Sequence, residues 1–193
     1  MSSCYYRFRC STVPQVRHSC CPTMNNNTIT NNPIINVSPI ISLPPSNGNP
    51  PVVIARFLYV ASIEDDTVEI YNITNPIAPV RLGEFGSGDL NTPVGLAIIG
   101  NTLYVTNRSD NTIEIYNNSN PIAPVRVGEF GSGDLNAPEE LAITENTLYV
   151  ANGGNNTIEI YDITNPTVPI RVGEFGFGDL NGPRGMSIFT VFG

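Results

Sequence analysis

Residues 103–138 read LYVTNRSDNTIEIYNNSNPIAPVRVGEFGSGDLNAP, and the chain repeats this tract on either side of itself. Upstream it is LYVASIEDDTVEIYNITNPIAPVRLGEFGSGDLNTP at 58–93, and downstream LYVANGGNNTIEIYDITNPTVPIRVGEFGFGDLNGP at 148–183. Leu58, Leu103 and Leu148 stand 45 residues apart, with no insertion or deletion between copies. No other feature constrains the fold as strongly. A unit this short cannot bury its own apolar face, so each copy must pack against the next.

Within a unit the apolar residues alternate or run in short β-branched and aromatic stretches, and no 3.6-residue period is sustained. In the second copy the pattern predicts strands at 94–99, 102–106, 112–117 and 123–130. Gly100-Asn101, Ser109-Asp110-Asn111 and the Asn120-Pro121 stretch supply the turns between them. The expected fold class is all-β: three four-stranded units of the propeller type, over about 52–93, 94–138 and 139–183. The segment 184–192, RGMSIFTVF, aligns with the first strand of a unit and is expected to be a surplus strand.

Two constellations in the repeat carry charge. Folding the last hairpin about Asn120 sets Glu114 opposite Arg126, and equally Glu69 opposite Arg81 and Glu159 opposite Arg171. Partner charges in register make these cross-strand ion pairs and not a binding funnel. The loop GEFGSGDLN pairs one Glu with one Asp, fewer oxygens than calcium needs, so a backbone role is the simpler account and calcium, presented three times by the repeat, the minor alternative; no Lys follows the glycines as in a phosphate loop. Gly131 and Gly133 are expected to permit a sharp crossover, with Phe130 and Leu135 packed between units. No catalytic, cofactor-binding or metal-ligating set emerges: the one histidine, His18, lies outside the repeats, so no Ser/His/Asp set can form there.

Only 13% of the residues are charged, all nine basic residues are Arg, and the net charge is −8. Such a balance lacks the basic stripe that nucleic acid or an anionic membrane surface requires. No run approaches 18 apolar residues, and 1–22 lacks the apolar core of a secretory signal.

Ahead of the repeats lie two unlike segments. Residues 1–22 form a head holding all four cysteines, Cys4, Cys10, Cys20 and Cys21. With none in the repeats, disulfides do not hold the core, and adjacent Cys20 and Cys21 do not readily pair with each other. Crosslinking between chains is the expected role; zinc spacings are absent, and free thiols are the alternative. Residues 23–51 carry six prolines and runs of Asn, which oppose helix and predict an extended arm.

LYVTN, LYVAS and LYVAN resemble the YVTN family of β-propeller repeats, and IYNITNPIAPVRLGEF and IYDITNPTVPIRVGEF are similar to the neighbouring LVIVD-type repeat. The resemblance spans about 52–193 and implies four-stranded blades. Such propellers include surface proteins and, in longer relatives, lactonase-like enzymes, but the matching positions here are turn and strand residues, so no catalytic residue carries over. The layout of cysteine head, Asn/Pro arm and β domain is also similar to subunits of bacterial spore appendages, in which N-terminal cysteines link neighbours. This implies a cell- or spore-surface location without a classical signal peptide, the alternative being cytoplasmic.

Three repeats are fewer than the four to eight blades of a closed propeller. The surplus strand, with Met186, Ile188 and Val191, is therefore expected to add to the first unit of a neighbouring subunit beside Leu58 and Val60. A heterologous contact of this kind gives a ring or a filament. The leading expectation is a self-assembling structural protein, not an enzyme, whose partner is itself. The alternatives are a glycan- or small-ligand-binding module using Tyr59, Tyr104 and Tyr149, and a lactonase-like enzyme.

Overall fold

Each repeat folds as an antiparallel meander, because its turns are too short for any crossover. The computed structural model describes residues 55–191, which contain eleven strands and no helix. Sheet I holds β1 (Phe57–Ser62), β2 (Thr67–Asn72) and β3 (Val80–Phe85). Sheet II holds β4 (Pro93–Ile99), β5 (Thr102–Asn107), β6 (Thr112–Asn117) and β7 (Val125–Phe130). Sheet III repeats it with β8 (Pro138–Thr144), β9 (Thr147–Asn152), β10 (Thr157–Asp162) and β11 (Ile170–Phe175). No helix among these residues is long and apolar enough to cross a membrane.

The turns are built by asparagine chemistry. Asn111 takes φ 58° to close the β5–β6 turn, a left-handed conformation that Asn tolerates better than most residues. In the β6–β7 loop, Asn117 accepts from the Ser119 N–H at 2.9 Å and Asn120 from the Ile122 N–H at 3.3 Å, two successive side-chain turns. The Ala123 N–H bonds the Asn120 carbonyl at 3.1 Å and Pro124 has no N–H to give, so β7 starts at Val125 and not at 123.

Sheet II packs on both its neighbours, through two apolar clusters. One joins Val68 and Leu90 of the first repeat to Leu103, Val105 and Tyr116 of the second. The other joins Tyr104, Ile113, Ile115 and Leu135 to Leu141, Leu148, Val150, Tyr161 and Ile163. Leu135 arrives through the glycine loop, where Gly131 at φ 89° lets the Leu135 N–H fold back to the Gly131 carbonyl at 3.0 Å.

Three sequence expectations are corrected here. The segment 183–191 is not a strand: a strand exists only by its ladder, and no described strand lies where β5 lies for β4 or β9 for β8. Sheet I accordingly shows three strands and not four, since Ala55 is outside any strand and 52–54 lie outside the described residues. Finally, Arg126 sits opposite Tyr116 and Glu114 opposite Glu129, because a bulge at Ile115/Tyr116 shifts the register; the same shift occurs in the other two sheets.

Candidate interaction faces at the two ends of the array

Every sheet presents two different faces. One displays a tyrosine and a phenylalanine; the other displays Leu and Val of the LYV tract. Sheet II buries both, but sheets I and III each bury only one. Leu103, Val105, Leu148 and Val150 are 0% exposed, whereas their sheet I equivalents Leu58 and Val60 are 46% and 41% exposed. The composition is the same; among the described residues only the covering sheet is missing.

The opposite face of sheet III is hollow. Ala142, Tyr149, Ile158, Phe175 and Leu180, together with Met186 and Ile188 from the C-terminal segment, line an apolar cavity of about 370 Å³. Phe175 is 52% exposed there. In the two covered copies the corresponding rings are closed off: Phe85 packs edge-on against Tyr116 and Phe130 against Tyr161, each at 4.8 Å between centroids. Tyr hydroxyls reach across the same junctions. Tyr59 lies 2.9 Å from the Pro121 carbonyl and 2.8 Å from Asn118 Oδ1, and Tyr104 donates to the Pro166 carbonyl at 2.7 Å. These two tyrosines, expected as ligand contacts on one sequence reading, thus tie sheet to sheet. Tyr149 makes no equivalent bond among the described residues.

Polar latches fix how each repeat leads into the next. The side chains of Asp66, Asn111 and Asn156 accept from the N–H of Thr92, Ala137 and Gly182 respectively, each at 2.7 Å. The third latch holds, so the chain leaves sheet III at Pro183 as it left sheet I at Pro93 and sheet II at Pro138. Asn107 and Asn152 form a further clasp, accepting from the Asn91 and Asn136 N–H and donating to the Asp89 and Asp134 carbonyls at 3.1 Å. Ser62 occupies this position in sheet I. The sequence reading missed these residues, although the recurring Asn of LYVTN and LYVAN was their signal.

The paired charges meet in all three sheets despite the altered register. Arg126 Nε donates to Glu114 at 2.5 Å, Arg171 Nε to Glu159 at 2.7 Å, and Arg81 bonds Glu69. Glu114 also accepts from Thr112 (3.2 Å) and Asn107 (3.3 Å), so both its oxygens are engaged. Such a saturated, buried carboxylate locks a hairpin. No cluster of three metal-ligating side chains occurs among the described residues. Cys4, Cys10, Cys20 and Cys21 lie outside them, whereas Val191 is described and exposed.

Burial also acts on the tyrosine phenols. It pushes the Tyr104 phenol up to about 12 and raises Tyr116 and Tyr161 as well. In the unfolded chain these phenols ionise near pH 10. Between that value and the folded ones, the unfolded state holds fewer protons, so its relative stability grows with pH. We expect the melting temperature to show no tyrosine contribution below about pH 9 and to fall steeply above about pH 10. Tyrosinate absorbance should rise in step with loss of the β spectrum; full ionisation of a still-folded chain would disprove the burial argument.

No family model and no curated protein matches the chain. Among solved structures it is similar to a functionally unknown protein from Desulfotomaculum acetoxidans DSM 771, with TM-score 0.55 and 22% identity over 65% of this chain and 42% of that one. Lower similarity is found to Hsv2 of Kluyvelomyces marxianus (TM-score 0.42, 14% identity, 63% and 36% covered). It is also found to KlHsv2 with loop 6CD replaced by a Gly-Ser linker (TM-score 0.42, 16% identity, 60% and 34% covered). The chain thus spans less than half the length of the structures it matches. The first likeness supports a shared fold and says nothing of activity.

Proposed function

We propose that this chain is a structural, self-associating surface protein built of propeller-type blades, joined end to end and crosslinked through its N-terminal cysteines. The observation that carries the reading is the contrast between Leu58 and Val60, nearly half exposed, and the same side chains wholly buried in the next two copies. An exposed apolar face at one end and an apolar hollow at the other are complementary surfaces on one molecule. Their contact is heterologous and generates a ring or a filament according to the rotation between subunits. Near-identical repeats suit such a role, because a lattice reuses one interface, whereas an active site gathers unlike residues.

Under this reading the segment 184–192 forms a ladder on association, lying beside β1 of a neighbour, with Met186, Ile188 and Val191 adding apolar contacts. The head then makes the joints covalent in an oxidising surface environment. Negative-stain microscopy with and without reductant tests the whole scheme: rings or filaments are expected, and uniform small particles under both conditions would refute it. Replacing Cys4, Cys10, Cys20 and Cys21 by Ser is expected to remove reductant-sensitive multimers from a non-reducing gel while leaving the β spectrum unchanged. Deleting residues 184–193 is expected to yield monomers under reducing conditions, as read by sedimentation velocity.

A further inference from the structure

The hollow on sheet III has a filled counterpart within the same molecule. On sheet II the matching surface is Ala97, Tyr104, Ile113, Phe130 and Leu135, each 45 residues before its equivalent in the hollow. Leu148, Val150, Tyr161 and Ile163 of sheet III close over that surface. Leu103, Val105 and Tyr116 close over the corresponding surface of sheet I. The first-repeat equivalents of Leu148, Val150, Tyr161 and Ile163 are Leu58, Val60, Tyr71 and Ile73, on or beside the uncovered face. Among the described residues the molecule therefore carries, unpaired, both halves of an interface that it makes twice with itself.

Resting on the self-association reading, we propose that the sheet III hollow is a socket for Leu58, Val60, Tyr71 and Ile73 of a second copy, in a register set by the repeat. Within sheet III, Leu141 pairs with Val150 and Ile143 with Leu148. Transposed by one repeat, Met186 lies opposite Val60 of the second copy and Ile188 opposite its Leu58. The polar ties transpose too. Tyr149 donates to the Pro76 carbonyl of the second copy, as Tyr104 does to Pro166. Phe175 meets Tyr71 of that copy as Phe130 meets Tyr161. Asn181 donates to its Asp65, as Asn91 donates to Asp110 at 2.9 Å. One tie does not transpose: Ser62 cannot reproduce the carboxamide clasp of Asn107 and Asn152. The joint between copies is therefore weaker than the two junctions inside the chain and parts first.

The test uses full chains with all four head cysteines replaced by Ser. One chain carries Val60→Cys and the other Met186→Cys, so any disulfide between them is intermolecular. On mixing and mild oxidation, a strong dimer band is expected on a non-reducing gel. Moving the first thiol to Ile77, which is 91% exposed on a loop, should reduce that band at least tenfold. Sedimentation velocity of the cysteine-free chain is run in parallel. Oligomers whose 60–186 band is no stronger than the Ile77→Cys control overturn the socket and leave self-association by another surface. A chain that is monomeric throughout and gives no band overturns both. Circular dichroism on each variant confirms that the substituted sites tolerate the change.

Discussion

Gly95→Ala is expected to cost about 3 kcal/mol of folding stability, near the upper end for added volume in a packed interior. The position lies in β4, where the backbone of β8 passes so closely that a Cβ would stand 2.3 Å from the Glu139 carbonyl oxygen and 3.0 Å from the Glu140 Cα. These are backbone atoms, which cannot rotate out of the way. Relief requires the inner strands of sheets II and III to separate, opening the cluster around Tyr104, Ile113 and Leu148. The Gly95 N–H also bonds Thr106 Oγ1 at 2.6 Å, and a shifted strand loses that buried bond. Gly83→Ala is the matched control, because its Cβ meets nothing within 4 Å and its φ is not positive; it should change stability by less than about 0.5 kcal/mol. Urea midpoints of the two variants should differ clearly, and equal midpoints would show that β4 and β8 have room to spare.

The need for glycine at 95 was not legible in the repeat. The same register reads Gly95, Glu140 and Gly185, so alignment of the copies gives no hint that one of them is sterically required. What alignment does reveal is whatever all copies need. The strand lengths, the Asn turns and the packing of Leu135 follow from local chemistry that recurs every 45 residues. The bulge at Ile115/Tyr116 was invisible because it depends on how the strands coil across a twisted sheet, and counting outward from Asn120 assumes a flat ladder. The same count still found the Glu114–Arg126 pair, because an arginine is long enough to reach diagonally across the shifted register. The end faces were legible only in the repeat number, three being fewer than a closed propeller holds; the surplus strand expected at one end does not form in the single chain, and the difference in burial was not legible at all. Leu58, Leu103 and Leu148 are identical letters, and only their neighbours make one exposed and two buried.

The three repeat glutamates give the second large effect, and they separate sequence identity from environment. Glu114→Ala and Glu159→Ala are each expected to destabilise the fold by about 2–3 kcal/mol, whereas Glu69→Ala should cost far less. Glu114 and Glu159 are 1% exposed and each accepts from a threonine, an asparagine and an arginine. Removing either carboxylate leaves a buried threonine hydroxyl without its acceptor and weakens the clasp through Asn107 or Asn152. The Glu69 side chain is 15% exposed, its arginine partner 48%, and water can replace what the substitution removes. Its repeat lacks the clasp, since Ser62 stands in for the asparagine and bonds Asp65 at 2.7 Å instead. The nearby Thr67 hydroxyl already has no partner among the described residues. Asn107→Ser should therefore convert the second repeat toward the first, lowering stability and shrinking the additional cost of Glu114→Ala in a double-mutant cycle. Equal costs at 69, 114 and 159 would mean that the hairpin alone, and not its burial by a neighbouring repeat, sets the value of the ion pair.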